Sequence, residues 1–165
     1  VIHCSSVSKV LSPGLRVGWI AAGRFQREVN RIKLLTNLAS SSLPQHVVAE
    51  FLASGGYDRH LARLRIRLAD QMERVRQAVA RYFPDGTRVS RPAGGHMLWV
   101  ELPGRTDAVR VFHEALAQRI SVLPGPIFSP GRRYRNYLRL NCGHVWSEKH
   151  ERALVTLGRI CLGRG

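Results

Sequence analysis

Residues 6–18 read Ser6-Val7-Ser8-Lys9-Val10-Leu11-Ser12-Pro13-Gly14-Leu15-Arg16-Val17-Gly18. The stretch sets two hydroxyls, one amine and one guanidinium on a turn between two short apolar runs, with Pro13-Gly14 as the turn signal. Hydroxyls and backbone N–H groups in a tight turn, joined by an arginine fork, suit a phosphate monoester. A lysine among them suits a Schiff base with an aldehyde, provided that burial and a neighbouring cation such as Arg16 lower its pKa. The same residues also fit a plain polar loop in which Lys9 is incidental.

The elements around this turn follow from periodicity. Val1 to Ser5 and Val17 to Ala22 predict short strands. Phe25 to Leu38 has a helical pattern, with Val29, Ile32 and Leu35 or Leu38 on one side. After a Ser-rich break at 39–43, Pro44 starts a helix through Val47, Val48, Phe51 and Leu52 that Gly55-Gly56 stops. Leu61, Leu64, Leu68, Met72, Val75 and Val79 recur at steps of three and four, which predicts a long amphipathic helix from Asp58 to Phe83. Arg63, Arg67, Arg74 and Arg81 occupy its solvated face. Pro84-Asp85-Gly86 ends it.

Beyond that point strands predominate. Thr87 to Ser90 and His96 to Leu102 predict strands joined through Pro92-Ala93-Gly94-Gly95. Thr106 or Asp107 caps a helix carrying Val109, Phe112, Leu116 and Ile120. Ser121 to Leu123 is a short strand. Tyr137 to Asn141 alternates, so Leu138 and Leu140 point one way and Arg139 the other. An arginine in a strand is ordinarily an exposed edge residue. Ser147 caps a last helix, with Trp146 as a staple before it. Trp19, Trp99 and Trp146 read as core residues. The boundary between domains falls near 40–43, with the tail of one α/β domain at 1–40 and a helix-flanked, smaller α/β domain at 41–165.

Composition limits the function classes. The chain has 165 residues, 44% hydrophobic and 22% charged, which are globular values. Its apolar runs are too short for a transmembrane helix, so no membrane role is expected. The start, Val1-Ile2-His3-Cys4, has no signal-peptide shape and reads as the middle of a strand, so a fragment lacking its upstream part is expected. Of 26 cations only Lys9, Lys33 and Lys149 are lysines, and the formal charge is +15. A general arginine preference explains that bias as well as a polyanion partner does. The longest basic run is Arg132-Arg133-Tyr134-Arg135. Cys4, Cys142 and Cys161 are too widely spaced for a disulfide framework or a metal knuckle, which fits a reducing cytoplasm. Cys142 reads as a packed thiol. The seven histidines show no metal-ligand pattern.

The motif at residues 6–18 resembles the lysine motif of class I/II aminotransferases, the fold-type I enzymes that use pyridoxal 5′-phosphate (PLP). Ser6, Ser8, Lys9, Pro13, Gly14, Leu15, Arg16 and Gly18 carry the match. The resemblance implies the C-terminal fragment of a PLP-dependent transferase fold: the end of the large PLP-binding domain at 1–40 and the small C-terminal α/β domain at 41–165. It implies that Lys9 forms the internal aldimine and moves the substrate Cα proton, and that Ser6, Ser8 and Arg16 hold the cofactor phosphate. Tyr137-Leu138-Arg139-Leu140-Asn141 resembles the strand whose arginine, here Arg139, binds the substrate α-carboxylate.

Three further stretches are most similar to the MocR subfamily of GntR-type transcriptional regulators. They are Pro92 to Pro103 with Gly94-Gly95 and Trp99, Leu123-Pro124-Gly125 with Phe128-Ser129, and Leu138 to Gly143 followed by Trp146-Ser147. That likeness implies an aminotransferase-like effector domain with an amino-acid or amine ligand, a homodimer in the full-length protein, and DNA contact only through a missing N-terminal winged-helix domain. His96 then lies on a strand that fronts the ligand pocket. The family's partners for the cofactor ring lie upstream, so this segment alone is expected to bind PLP weakly and to lack useful transaminase activity. The alternative is a free-standing aminotransferase acting between an amino acid and a 2-oxo acid. A third reading, an arginine-rich nucleic-acid module, requires tight, salt-dependent DNA binding by this segment.

Overall fold

The computed structural model describes residues 1–104 and 106–163. The chain divides into two compact units, Val1–Leu64 and a second that begins at Arg65. In the first, β1 (His3–Ser6) and β2 (Gly18–Ala21) pair antiparallel with Ser6 opposite Gly18. Helices α1 (Gln26–Asn37) and α2 (Ser42–Ala53) follow on either side of the Ser-rich break. Gly55, at φ +66°, takes the left-handed turn into α3 (Gly56–Tyr82) that a side chain would strain.

Two sequence expectations change in this unit. Trp19 is 48% exposed rather than in a core, because β1 and β2 form a two-stranded ribbon whose residues are all exposed. Ile32 and Leu35 lie on α1 and Leu38 just past its end, yet all three are exposed and only Val29 is half-buried. Among the described residues, this unit buries little apart from Val7, Ala22 and Val48.

The second unit holds the larger core. Strands β3 (Arg88–Val89), β4 (Met97–Glu101), β5 (Leu123–Pro124) and β6 (Tyr137–Asn141) form an antiparallel sheet in the order β3-β4-β6-β5. Pro124 sits on an edge strand, where its missing N–H costs no ladder bond. Leu98, Val100, Leu138 and Leu140 project from one face into a core with Val75 and Val79 of α3. Helices α4 (Ala108–Ala117) and α5 (Glu148–Cys161) add Val111, Leu157 and Ile160. The two-residue alternation of the strands and the three-to-four-residue steps of the helices thus meet on one apolar layer.

Local chemistry fixes the ends of these elements. Asp107, rather than Thr106, caps α4, its carboxylate accepting the Val109 N–H at 2.8 Å. Ser147 precedes α5 but its hydroxyl does not cap the helix; it lies 2.8 Å from His150 Nδ1 instead. Trp146 packs against the core from the position before it. Arg63, Arg67, Arg74 and Arg81 are exposed, as expected. No helix among the described residues is long and apolar enough to cross a membrane.

Helix α5 approaches α3 closely through Gly158, where an added Cβ would overlap the carbonyl of Tyr82. Gly158→Ala is therefore expected to destabilise the second unit by about 2 kcal/mol despite alanine's better helix propensity. Urea unfolding of the two proteins checks this; an unchanged or raised midpoint would refute the close approach.

Candidate functional site

The turn at residues 6–18 is held by its own backbone. Val7 is buried, its N–H donates to the Val17 carbonyl at 3.1 Å, and its carbonyl accepts from Val10 and Leu11. The Ser12 hydroxyl accepts the Gly14 N–H at 3.3 Å and opens a short 3-10 turn, Pro13–Leu15. Arg16 then takes a left-handed conformation, φ 53°, and its Nη1 donates to the Pro13 carbonyl. A Cβ on Gly18 would lie 2.8 Å from the Ser5 carbonyl oxygen, so glycine allows the ribbon to close behind the turn.

This arrangement keeps Ser6, Ser8, Lys9 and Arg16 on one short, pinned loop. Among the described residues the Ser6 and Ser8 hydroxyls and the Lys9 amine have no protein partner, while Ser12 and Arg16 make the loop's side-chain bonds. Lys9 is exposed and Ser8 half-buried. The described residues of this unit thus leave the Lys9 amine open to solvent. A cleft of about 760 Å³ runs beside the ribbon, lined by Arg16, Trp19 and Lys33 among others, with Lys9, Ser6 and Ser8 outside its lining.

One anchor escaped the sequence reading. His60 on α3 places Nε2 2.6 Å from the Val10 carbonyl, next to Lys9. A carbonyl only accepts, so Nε2 carries the proton. Phe51 packs edge-on against the same imidazole at 6.3 Å. The two partners are 50 residues apart, and no local motif announces such a bond.

Arg139 lies in the second unit, on β6 between Trp99 of β4 and Leu123 of β5. Its neighbours Leu138 and Leu140 are buried while it is half-buried, so it stands on the face opposite the core, as its alternation requires. It makes no ion pair among the described residues. Its guanidinium lies over the Phe128 ring, 4.4 Å from the centroid. Trp99 meets Phe128 and Tyr134 edge-on at 5.6 Å and stacks on Tyr137 at 5.4 Å. Desolvation, then hydrogen bonding to Glu101, raises the Tyr137 hydroxyl above its usual pKa, so it stays protonated. His96 is half-buried just before β4, and its carbonyl accepts the Cys142 N–H at 2.7 Å.

The donor set suits an aldehyde that also carries a phosphate: a free amine, two free hydroxyls and a guanidinium on one rigid turn. The residues present therefore fit PLP. Among the described residues, no group of three or more side chains could hold a metal ion.

The aminotransferase class I and II family model matches residues 1–157. The chain belongs to that family. An uncharacterized HTH-type transcriptional regulator of Escherichia coli, YdcR, is 40% identical over 160 residues, 97% of this chain and 34% of its own. A second one from that organism, YjiR, is 37% identical over 96% of this chain and 34% of its own. Among solved structures, the α-aminoadipate aminotransferase LysN from Thermus thermophilus, complexed with N-(5′-phosphopyridoxyl)-L-leucine, superposes with a TM-score of 0.90 at 32% identity. The match covers 99% of this chain and 42% of that one. The aminotransferase-family chain thus spans about a third of the length of those regulators, and its α/β fold is the expected one.

Cys142 and Cys161 are buried, and Cys4 is exposed. Burial pushes the Cys142 thiol from 9.0 up to about 11 and the Cys161 thiol up to about 12. A raised folded value favours the neutral thiol, so its stabilisation is complete below the unfolded value and lost as pH climbs through the folded one. The urea midpoint of the second unit is expected to fall between about pH 9 and 12. Cys142→Ala should flatten that fall. At neutral pH iodoacetamide should label Cys4 and spare both buried thiols, as mass spectrometry would show.

Proposed function

We propose that this chain is part of a PLP-binding, aminotransferase-like effector domain of a MocR/GntR-type transcriptional regulator. Lys9 holds the cofactor covalently, Ser6, Ser8 and Arg16 hold its phosphate, and Arg139 binds the carboxylate of an amino-acid ligand. The observation that carries the reading is the pinned turn: a lysine amine and two hydroxyls without protein partners among the described residues, and a guanidinium, on one hydrogen-bonded stretch of backbone. Similarity to HTH-type regulators over 97% of the chain supports the regulatory half.

When bound, PLP supplies an electron-withdrawing ring to the ligand's Cα. The chain's residues do the rest. The Ser6 and Ser8 hydroxyls donate to phosphate oxygens. Arg16 adds charge-assisted bonds from a conformation fixed by Pro13. Lys9 Nζ is the base placed to take or return the Cα proton. Arg139 grips the carboxylate through two parallel N–H bonds and so orients the ligand's amine. In the same reading residues 1–40 close the large cofactor domain and 41–165 form the small one. The full-length protein is a cytoplasmic homodimer that touches DNA through a separate winged-helix domain. A free-standing aminotransferase is the second reading, favoured by the likeness to LysN.

Two variants of the full-length protein test this. Lys9→Ala is expected to abolish the borohydride-trapped cofactor mass on the peptide holding residue 9; persistence of that mass on another lysine would overturn the assignment. Arg139→Ala should keep the trapped mass in the native protein yet weaken amino-acid binding about 10- to 100-fold, the loss typical of a charge-assisted pair. An unchanged affinity would remove Arg139 from the site.

A further inference from the structure

Phe128 is an aromatic residue left 40% exposed on a short loop, and the proposed chemistry does not use it. It ends a 3-10 turn, Gly125–Phe128, between β5 and β6. That turn is held tightly. Gly125 is buried, and a Cβ there would stand 2.8 Å from the Tyr134 Cβ and 2.9 Å from the Tyr137 Cβ. The ring itself is braced edge-on by Trp99, which Tyr137 backs in turn. Above this braced ring lies the Arg139 guanidinium.

A guanidinium is planar and carries its five N–H donors in that plane. A ring against its face attracts it electrostatically while leaving the edge free. No carboxylate of the described residues pairs with Arg139, so nothing else there fixes its orientation by charge. The geometry points to Phe128 as a positioning residue that holds the Arg139 guanidinium plane, so that its two-pronged edge meets a ligand carboxylate. This inference rests on the reading of Arg139 as the carboxylate site and adds what keeps that side chain oriented before the ligand arrives. Phe128 acts only through Arg139 and leaves the cofactor untouched.

The test uses the full-length, PLP-loaded protein and a panel of the common L-amino acids, each paired with the amine lacking its carboxylate. Affinities are read by calorimetry for wild type, Phe128→Leu, Phe128→Tyr and Arg139→Ala. Phe128→Leu is expected to weaken the amino acids that wild type binds by roughly fivefold, the scale of one cation–π contact. The corresponding amines should bind as before, and Phe128→Tyr should restore wild-type affinity. Phe128 is partly exposed, so the leucine variant should keep its fold, and matched unfolding curves verify that. If Arg139→Ala weakens amino acids and Phe128→Leu does not, or weakens amines equally, the positioning role is refuted while the carboxylate site stands. If Arg139→Ala has no effect, or wild type binds no amino acid, the carboxylate reading itself falls and this inference falls with it.

Discussion

The pairing of β4 with β6 is the constraint on which the second unit depends. Side chains alternate across a strand, so the register that sets Leu98 against Leu140 and Val100 against Leu138 also sets Trp99 against Arg139. The two aliphatic pairs enter the core, and the Trp99–Arg139 pair between them must face away from it. A slip of β6 by one residue would bury a guanidinium and expose Leu138 and Leu140 at once. The apolar layer against α3, α4 and α5 thus enforces the placement of Arg139. The position of a polar group on the open face follows from the energetics of the closed one.

The first unit solves a similar problem with little core. Its ribbon strands are exposed on every residue, so burial holds the Lys9 turn mainly through Val7. Hydrogen bonds do the rest: Val7 bonds backbone to backbone, the Ser12 hydroxyl and the Arg16 guanidinium bond to the turn's backbone, and His60 adds a brace from a distant helix. Such a loop is rigid where its peptide groups are satisfied and leaves its side chains free to receive a ligand. That division is what a phosphate cradle needs, since the donors must be pre-oriented and must not already be spent on each other.

The core-forming elements were legible in the sequence because their pattern records burial. Helix α3 was visible in Leu68, Met72, Val75 and Val79, and β6 in Leu138 and Leu140, because each apolar step answers to the same core. The Lys9 motif was legible because its chemistry is local, within thirteen residues. Four features were hidden, each because it depends on what the fold brings together. Trp19 looked like core because tryptophan usually is, and residue type does not say whether a ribbon has a layer over it. The Ser147 hydroxyl had two possible partners, the helix backbone and His150, and sequence does not rank them. The His60 brace and the Phe128 stack join residues far apart in the chain, where only the fold brings donor to acceptor or ring to cation.

The charge of the chain separates along the same line. Four of the five ion pairs among the described residues join helix positions three or four apart, and pairs of that kind at such exposure stabilise by well under about 1 kcal/mol each. The helical arginines therefore read as a solvated coat whose stems cover apolar surface. Strands are different, because a strand arginine is committed to one face. Among the described residues only Arg88 and Arg139 lie on strands. Arg88 faces Glu101 at 3.8 Å and is locally compensated. Arg139 has a ring in place of a carboxylate. An aromatic face holds a cation without neutralising it, so its charge remains to be answered from outside the chain. In a protein of +15, Arg139 is set apart by its partner, a ring rather than a carboxylate, and not by its charge.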